Sequence, residues 1–157
     1  MSDKHLETDT VALLTPVPNG KVVAAICSIN KIRATVIETS AGAFAVIEDT
    51  SEGSTEAAAG AISTFVRDHP VLAMERRDGQ LTIHQWLGGA QGKKLAPGLA
   101  LDQAPGAITT LMMGTQTIDE LAETHPDTVY QANMGRFTAF RQLRTMAKQA
   151  KKEQRKL

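Results

Sequence analysis

A phosphate-gripping P-loop needs a glycine, four residues and then Gly-Lys-Ser/Thr, so that backbone N–H groups wrap the phosphates and a hydroxyl meets the metal. The run Gly88-Gly-Ala-Gln-Gly92-Lys93-Lys94 comes nearest to this pattern. Its two key glycines stand one position too close, and Lys94 replaces the hydroxyl, so it reads as a flexible basic loop. No G-x-S-x-G elbow, H-E-x-x-H helix or pair of cysteines occurs. His5, His69, His84 and His125 show no metal-ligand spacing, and no metal or cofactor is expected. Cys27 lies in an apolar run, where a thiol is a small hydrophobe rather than a nucleophile. Glu48 and Asp49 are neighbours in a predicted strand and point to opposite faces, so they do not form an acid–base pair. Asp119 and Glu120 fit the first turn of a helix, where acids complement the macrodipole. This inventory favours a protein without catalytic machinery. Were an enzyme built here, its site would lie near His84 and Glu75.

Those two residues come from the sharpest local signal in the chain. Asp78-Gly79 separates two β-rich runs, Val71–Arg77 and Gln80–Leu87, as a two-residue hairpin turn. Arg77 then faces Gln80, and the register follows: on one face Leu72 opposes Gln85, Met74 opposes Ile83 and Arg76 opposes Leu81. That face is the more aliphatic and is expected to point inward. On the other face Val71 opposes Trp86, Ala73 opposes His84 and Glu75 opposes Thr82. Trp86, His84 and Glu75 therefore share one surface, and an exposed tryptophan is a common binding anchor. A C-terminal helix laid over that face would instead make Trp86 core.

The elements that position this hairpin are predicted to be mostly strands. Val11–Val17 and Lys21–Ile29 read as strands joined by a turn at Pro18-Asn19-Gly20. Pro16 and Pro18 cannot donate to a ladder and place the first strand at an edge. Ile32–Thr39 and Ala43–Asp49 form a second pair. Ser54 is a candidate N-cap for a helix with its stripe at Ala58, Ala61, Ile62, Phe65 and Val66, ended by His69-Pro70. A helix is expected over 102–113 up to Gly114, and another after the capping box Thr117-Ile-Asp-Glu120. Asp127 then caps a long final helix. The fold class is α+β: an antiparallel sheet of about six strands in hairpins, one helix inserted after the fourth strand, and a helical C-terminal third, with helices covering one sheet face. Residues 1–157 are expected to form a single domain: 1–95 sheet plus helix, 96–147 helical, and 148–157 a frayed basic tail.

The net charge is zero, but it is unevenly spread. Residues 1–126 hold nine Lys/Arg and fifteen Asp/Glu, whereas residues 127–157 hold eight and two. Such asymmetry suits an acidic partner for the C-terminal segment, docking on the chain's own acidic body, or a solvated helix end. The stretch Gly114-Thr-Gln-Thr-Ile-Asp-Glu-Leu-Ala-Glu-Thr-His125, followed by Thr128-Val129-Tyr130-Gln131, resembles a helix-turn-helix. It departs from that motif in its short connection and in lacking a turn glycine. The resemblance implies a nucleic-acid-binding segment over 115–157. Tyr130, Gln131 and Asn133 would reach base edges, and Arg136, Arg141, Arg144, Lys148, Lys151 and Lys152 would meet phosphates.

At 42% hydrophobic and 22% charged residues the composition is that of an ordinary globular domain. The first ten residues lack the apolar core of a secretory signal, no apolar run approaches the ~20 residues of a membrane span, and the lone cysteine suits a reducing compartment. A cytoplasmic protein with no membrane association is therefore expected. The function these features favour is a non-enzymatic interaction module that self-associates, as a homodimer or other homo-oligomer, or holds a protein partner. Nucleic-acid binding through the basic C-terminal helix is the alternative.

Overall fold

A computed structural model describes residues 9–102, 104–124, 128–132 and 136–155. The chain runs β1 (Thr10–Leu14), α1 (Gly20–Ile29), β2 (Ala34–Thr39), β3 (Gly42–Ile47), α2 (Ser54–Phe65), β4 (Val71–Arg77), β5 (Gln80–Leu87) and β6 (Ala90–Leu95). It continues through α3 (Pro97–Asp102), α4 (Gly106–Met112), α5 (Ile118–Thr124), β7 (Val129–Gln131) and α6 (Arg136–Arg155). The class is α+β. The strands form a seven-stranded antiparallel sheet in the order β6-β5-β4-β1-β3-β2-β7.

Helices cover both faces of this sheet, not one. On the first face Val11, Leu13, Ala45, Val71 and Ala73 pack against Val23, Ala24 and Cys27 of α1 and Ala58 and Ile62 of α2. On the second, Ala12, Phe44, Met74 and Ile83 pack against Leu101, Ile108, Leu111, Met112 and Leu121 of α3–α5. The central strand shows the cause. Val11, Ala12 and Leu13 are all fully buried, and an unbroken apolar run rather than an alternating one is what a strand covered twice requires. β1 is accordingly central, between β3 and β4, and not an edge. The strand ends at Leu14, so Pro16 and Pro18 fall outside it and remove no ladder donor.

Residues 21–29 are helical rather than extended. Asn19 is an N-cap, its Oδ1 accepting from Lys21 N at 2.9 Å, so Pro18-Asn19 starts a helix instead of turning a hairpin. Gly20 and every residue from Val23 to Ser28 is buried, because the sheet, α2 and α6 surround α1. A helix enclosed on all sides carries no polar stripe, and its β-branched residues then imitate a strand. The run after Gly88, expected as a loop, is strand β6 from Ala90 to Leu95. The helix expected over 102–113 is α4, which starts only at Gly106 after its cap Pro105, and a separate short helix, α3, precedes it and ends at Asp102. The Thr117 capping box is formed: Glu120 N donates to Thr117 Oγ1 at 3.2 Å and Thr117 N to Glu120 Oε1 at 3.3 Å. The last helix begins at Arg136, because Val129–Gln131 pair with Thr35–Ile37 of β2; Asp127 lies outside the described residues. Among the described residues no helix is long and apolar enough to cross a membrane.

Candidate functional site

Asp78 and Gly79 both adopt left-handed backbone, with φ of 51° and 77°, the geometry of a type I′ turn whose twist matches the paired strands. The register is the one the dipeptide dictates: Val71 faces Trp86, Ala73 faces His84 and Glu75 faces Thr82. Trp86, His84 and Glu75 thus lie together on one sheet face. That face is covered, however, by α2 rather than by a C-terminal helix. Trp86 is only 8% exposed, and its indole lies under Gly60 of α2. It is core and offers no surface anchor.

Glu75 is occupied as well. Its Oε2 accepts from Thr55 Oγ1 at 2.5 Å and pairs with Arg77 Nε at 3.2 Å. Arg77 extends that tie to Asp9 Oδ2 at 3.3 Å, to the Thr50 carbonyl at 2.7 Å and to the Ser51 carbonyl at 3.2 Å. The carboxylate therefore joins β4, α2 and the loop before α2. A cavity of about 60 Å³ remains among Thr55, Glu75, Thr82, His84, Trp86 and Gln91. That volume holds one or two waters and falls far below the roughly 300 Å³ at which ligand pockets begin.

Cys27 is fully buried, and burial pushes its thiol up to about 12. The thiolate is the reactive form, so iodoacetamide at pH 8 is expected to leave the folded chain unmodified over hours and to label it within minutes in 8 M urea. Rapid labelling of the folded chain would show that α1 opens readily.

The residues assigned to nucleic acid are dispersed. Tyr130 and Gln131 sit in β7, where the Tyr130 ring presses on Gly20 and Gln131 Oε1 accepts from Thr35 Oγ1 at 3.1 Å. A strand stands where the helix-turn-helix resemblance requires a second helix. Asn133 lies outside the described residues. Arg136, Lys151 and Lys152 belong to α6, as do Arg141, Arg144 and Lys148, and these last three are exposed. α6 rests on α1 through Ala139, fully buried, and Leu143. At about 100° per residue, Arg141, Arg144 and Lys148 all fall within about 40° of the side opposite Ala139. Phe140, 60% exposed, borders that row.

The sequence reading also missed β6, which forms one edge of the sheet. The Gly88-Gly89 pair, pinned by Gly89 N donating to Ser63 Oγ at 2.9 Å, was the available signal. Gln91, Gly92, Lys93 and Lys94 are exposed, and the pairing slips between His84 and Trp86. Lysines and a slipped register are devices that keep an edge from adding another strand. The opposite edge, β7, is three residues long. Neither edge is built for strand exchange. No protein-family model, curated protein or solved structure matches this chain.

Proposed function

We propose that this protein is a non-enzymatic interaction module that holds a protein partner, a second copy of itself included, on the outer side of α6. One observation carries the reading: α6 packs on the body along a single side and presents Phe140 beside Arg141, Arg144 and Lys148 on the rest. An aromatic ring framed by cations suits a partner surface with an apolar hollow and acidic rim. The acidic residues outnumber the basic ones over 1–126, which gives a second copy the complementary charge.

The test combines light scattering of the purified chain with capture from host lysate, with and without nuclease. The triple variant Phe140→Ser/Arg144→Glu/Lys148→Glu alters only exposed positions and is expected to keep the wild-type Tm. It should lose at least tenfold in either self-association or nuclease-resistant capture. Capture that nuclease abolishes would assign α6 to nucleic acid, with a log–log salt slope of about −2.7 for three neutralised phosphates. Such binding would be blind to base sequence, since Tyr130 and Gln131 are committed to the sheet. A monomer whose captured proteins are the same for wild type and variant would overturn the proposal.

A further inference from the structure

A cleft of about 540 Å³ opens where the end of α1, the start of β2, the end of β3 and the first turn of α2 converge. That volume is in the range of small-ligand sites. Lys31 and Arg33 flank it, and neither forms an ion pair among the described residues. Ser54, the first residue of α2, lines the same space, and its Oγ is buried with no hydrogen-bond partner. A buried hydroxyl left without a partner is unfavourable, so it suits an acceptor brought by a ligand. α2 adds its positive end. Gly53 caps it without any side-chain bond, and the Ser51 carbonyl accepts from Ser54 N at 3.1 Å.

Two carboxylates also line the cleft, and their positions decide what it admits. Asp49 Oδ1 accepts from Ser51 Oγ at 2.5 Å and from Ser51 N at 2.9 Å, bonds that lower its pKa and keep it ionised. Glu48 makes no such bond among the described residues, so it is the less compensated of the two anions that oppose the two cations. Glu52 and Glu56, the other acids near this helix end, line the separate cleft around Arg77.

We propose that this cleft binds a small ligand bearing a phosphate group. Lys31 and Arg33 would match its charge, Ser54 Oγ would donate to a phosphate oxygen, and the N-terminus of α2 would face it. The site is independent of α6 and of the partner proposed there.

The full chain is titrated with inorganic phosphate at constant ionic strength, and Tm and amide chemical shifts are followed. Saturable binding is expected, with the largest shifts in residues 30–33 and 53–57. Arg33→Gln and Ser54→Ala should each weaken it roughly tenfold. Lys31 has a φ of 58°, so Lys31→Asn is the chosen charge removal, because asparagine tolerates that backbone; it should weaken binding by a similar factor. Glu48→Gln should tighten binding roughly threefold, an opposite sign that a purely structural role would not produce. The ligand-free Tm of each variant checks its fold. A response to phosphate no larger than to chloride, equal binding of malonate, or an affinity unmoved by these four substitutions would overturn the proposal.

Discussion

Trp86→Ala is expected to cost about 3–5 kcal/mol of folding free energy, the usual price of removing a buried aromatic ring. The side chain is 8% exposed, opposes Val71 on β4 and lies beneath Gly60 of α2. Its loss would leave a hollow between the β4–β5 hairpin and α2 that neither can collapse to fill, since α2 is also held by the bond from Thr55 to Glu75. For a domain of this size the cost corresponds to a fall in Tm of roughly 6–20 °C. Trp86→Phe keeps much of the ring volume and should cost less than half as much. Urea unfolding at an unchanged m-value measures both. Because Trp86 is the chain's only tryptophan, its fluorescence reports the same fact directly: emission should be blue-shifted in the folded chain and move to the red on unfolding. A cost for Trp86→Ala below about 1 kcal/mol would show that α2 does not cover this face.

Local chemistry made some elements readable and tertiary enclosure hid others. The β4–β5 hairpin was legible to the residue, because Asp78-Gly79 fixes both turn type and register and every cross-strand pair then follows. The Thr117 capping box was legible for the same reason: its bonds join residues three apart. α1 was not, because the stripe that identifies a helix disappears when all its sides are buried. β6 was not, because an edge strand needs no apolar side chains and Gln91-Gly-Lys-Lys94 resembles a loop. The cluster of Glu75, His84 and Trp86 was placed on one face correctly, but whether anything covers that face depends on α2, which meets it only in the fold. The cleft at the start of α2 had no sequence signature. Lys31 and Arg33 meet Ser54 only because α1, β3 and α2 end at the same corner of the sheet, and no local spacing records that meeting.

The same corner-to-corner logic makes Gly42 the residue least open to change. Gly42→Ala is expected to cost about 4–6 kcal/mol, or to prevent folding where the chain has no more stability than that. Gly42 has a φ of 126°, outside any region an L-residue adopts readily, and a Cβ there would stand 1.9 Å from the carbonyl oxygen of Thr15. The obstacle is backbone, so no rotamer change relieves it. To make room, the end of β1 must leave β3. That motion strains the bonds from Thr15 N and Thr15 Oγ1 to the Ala43 carbonyl, at 3.0 and 2.8 Å, and from Ala43 N to the Val17 carbonyl at 2.7 Å. Each is worth about 1 kcal/mol, and the dihedral strain adds 1–3. Gly79→Ala supplies the control. Gly79 also has positive φ, 77°, but nothing lies within 4 Å of its added Cβ, so it should cost only about 1–2 kcal/mol. The difference isolates the contact with Thr15. Because Val17 leads directly into the Asn19 cap, the damage should spread to α1: amide exchange there should accelerate in the Gly42 variant and stay near wild type in the Gly79 variant. Equal costs for the two substitutions would mean that the chain after β1 moves aside freely and does not hold α1 on the sheet.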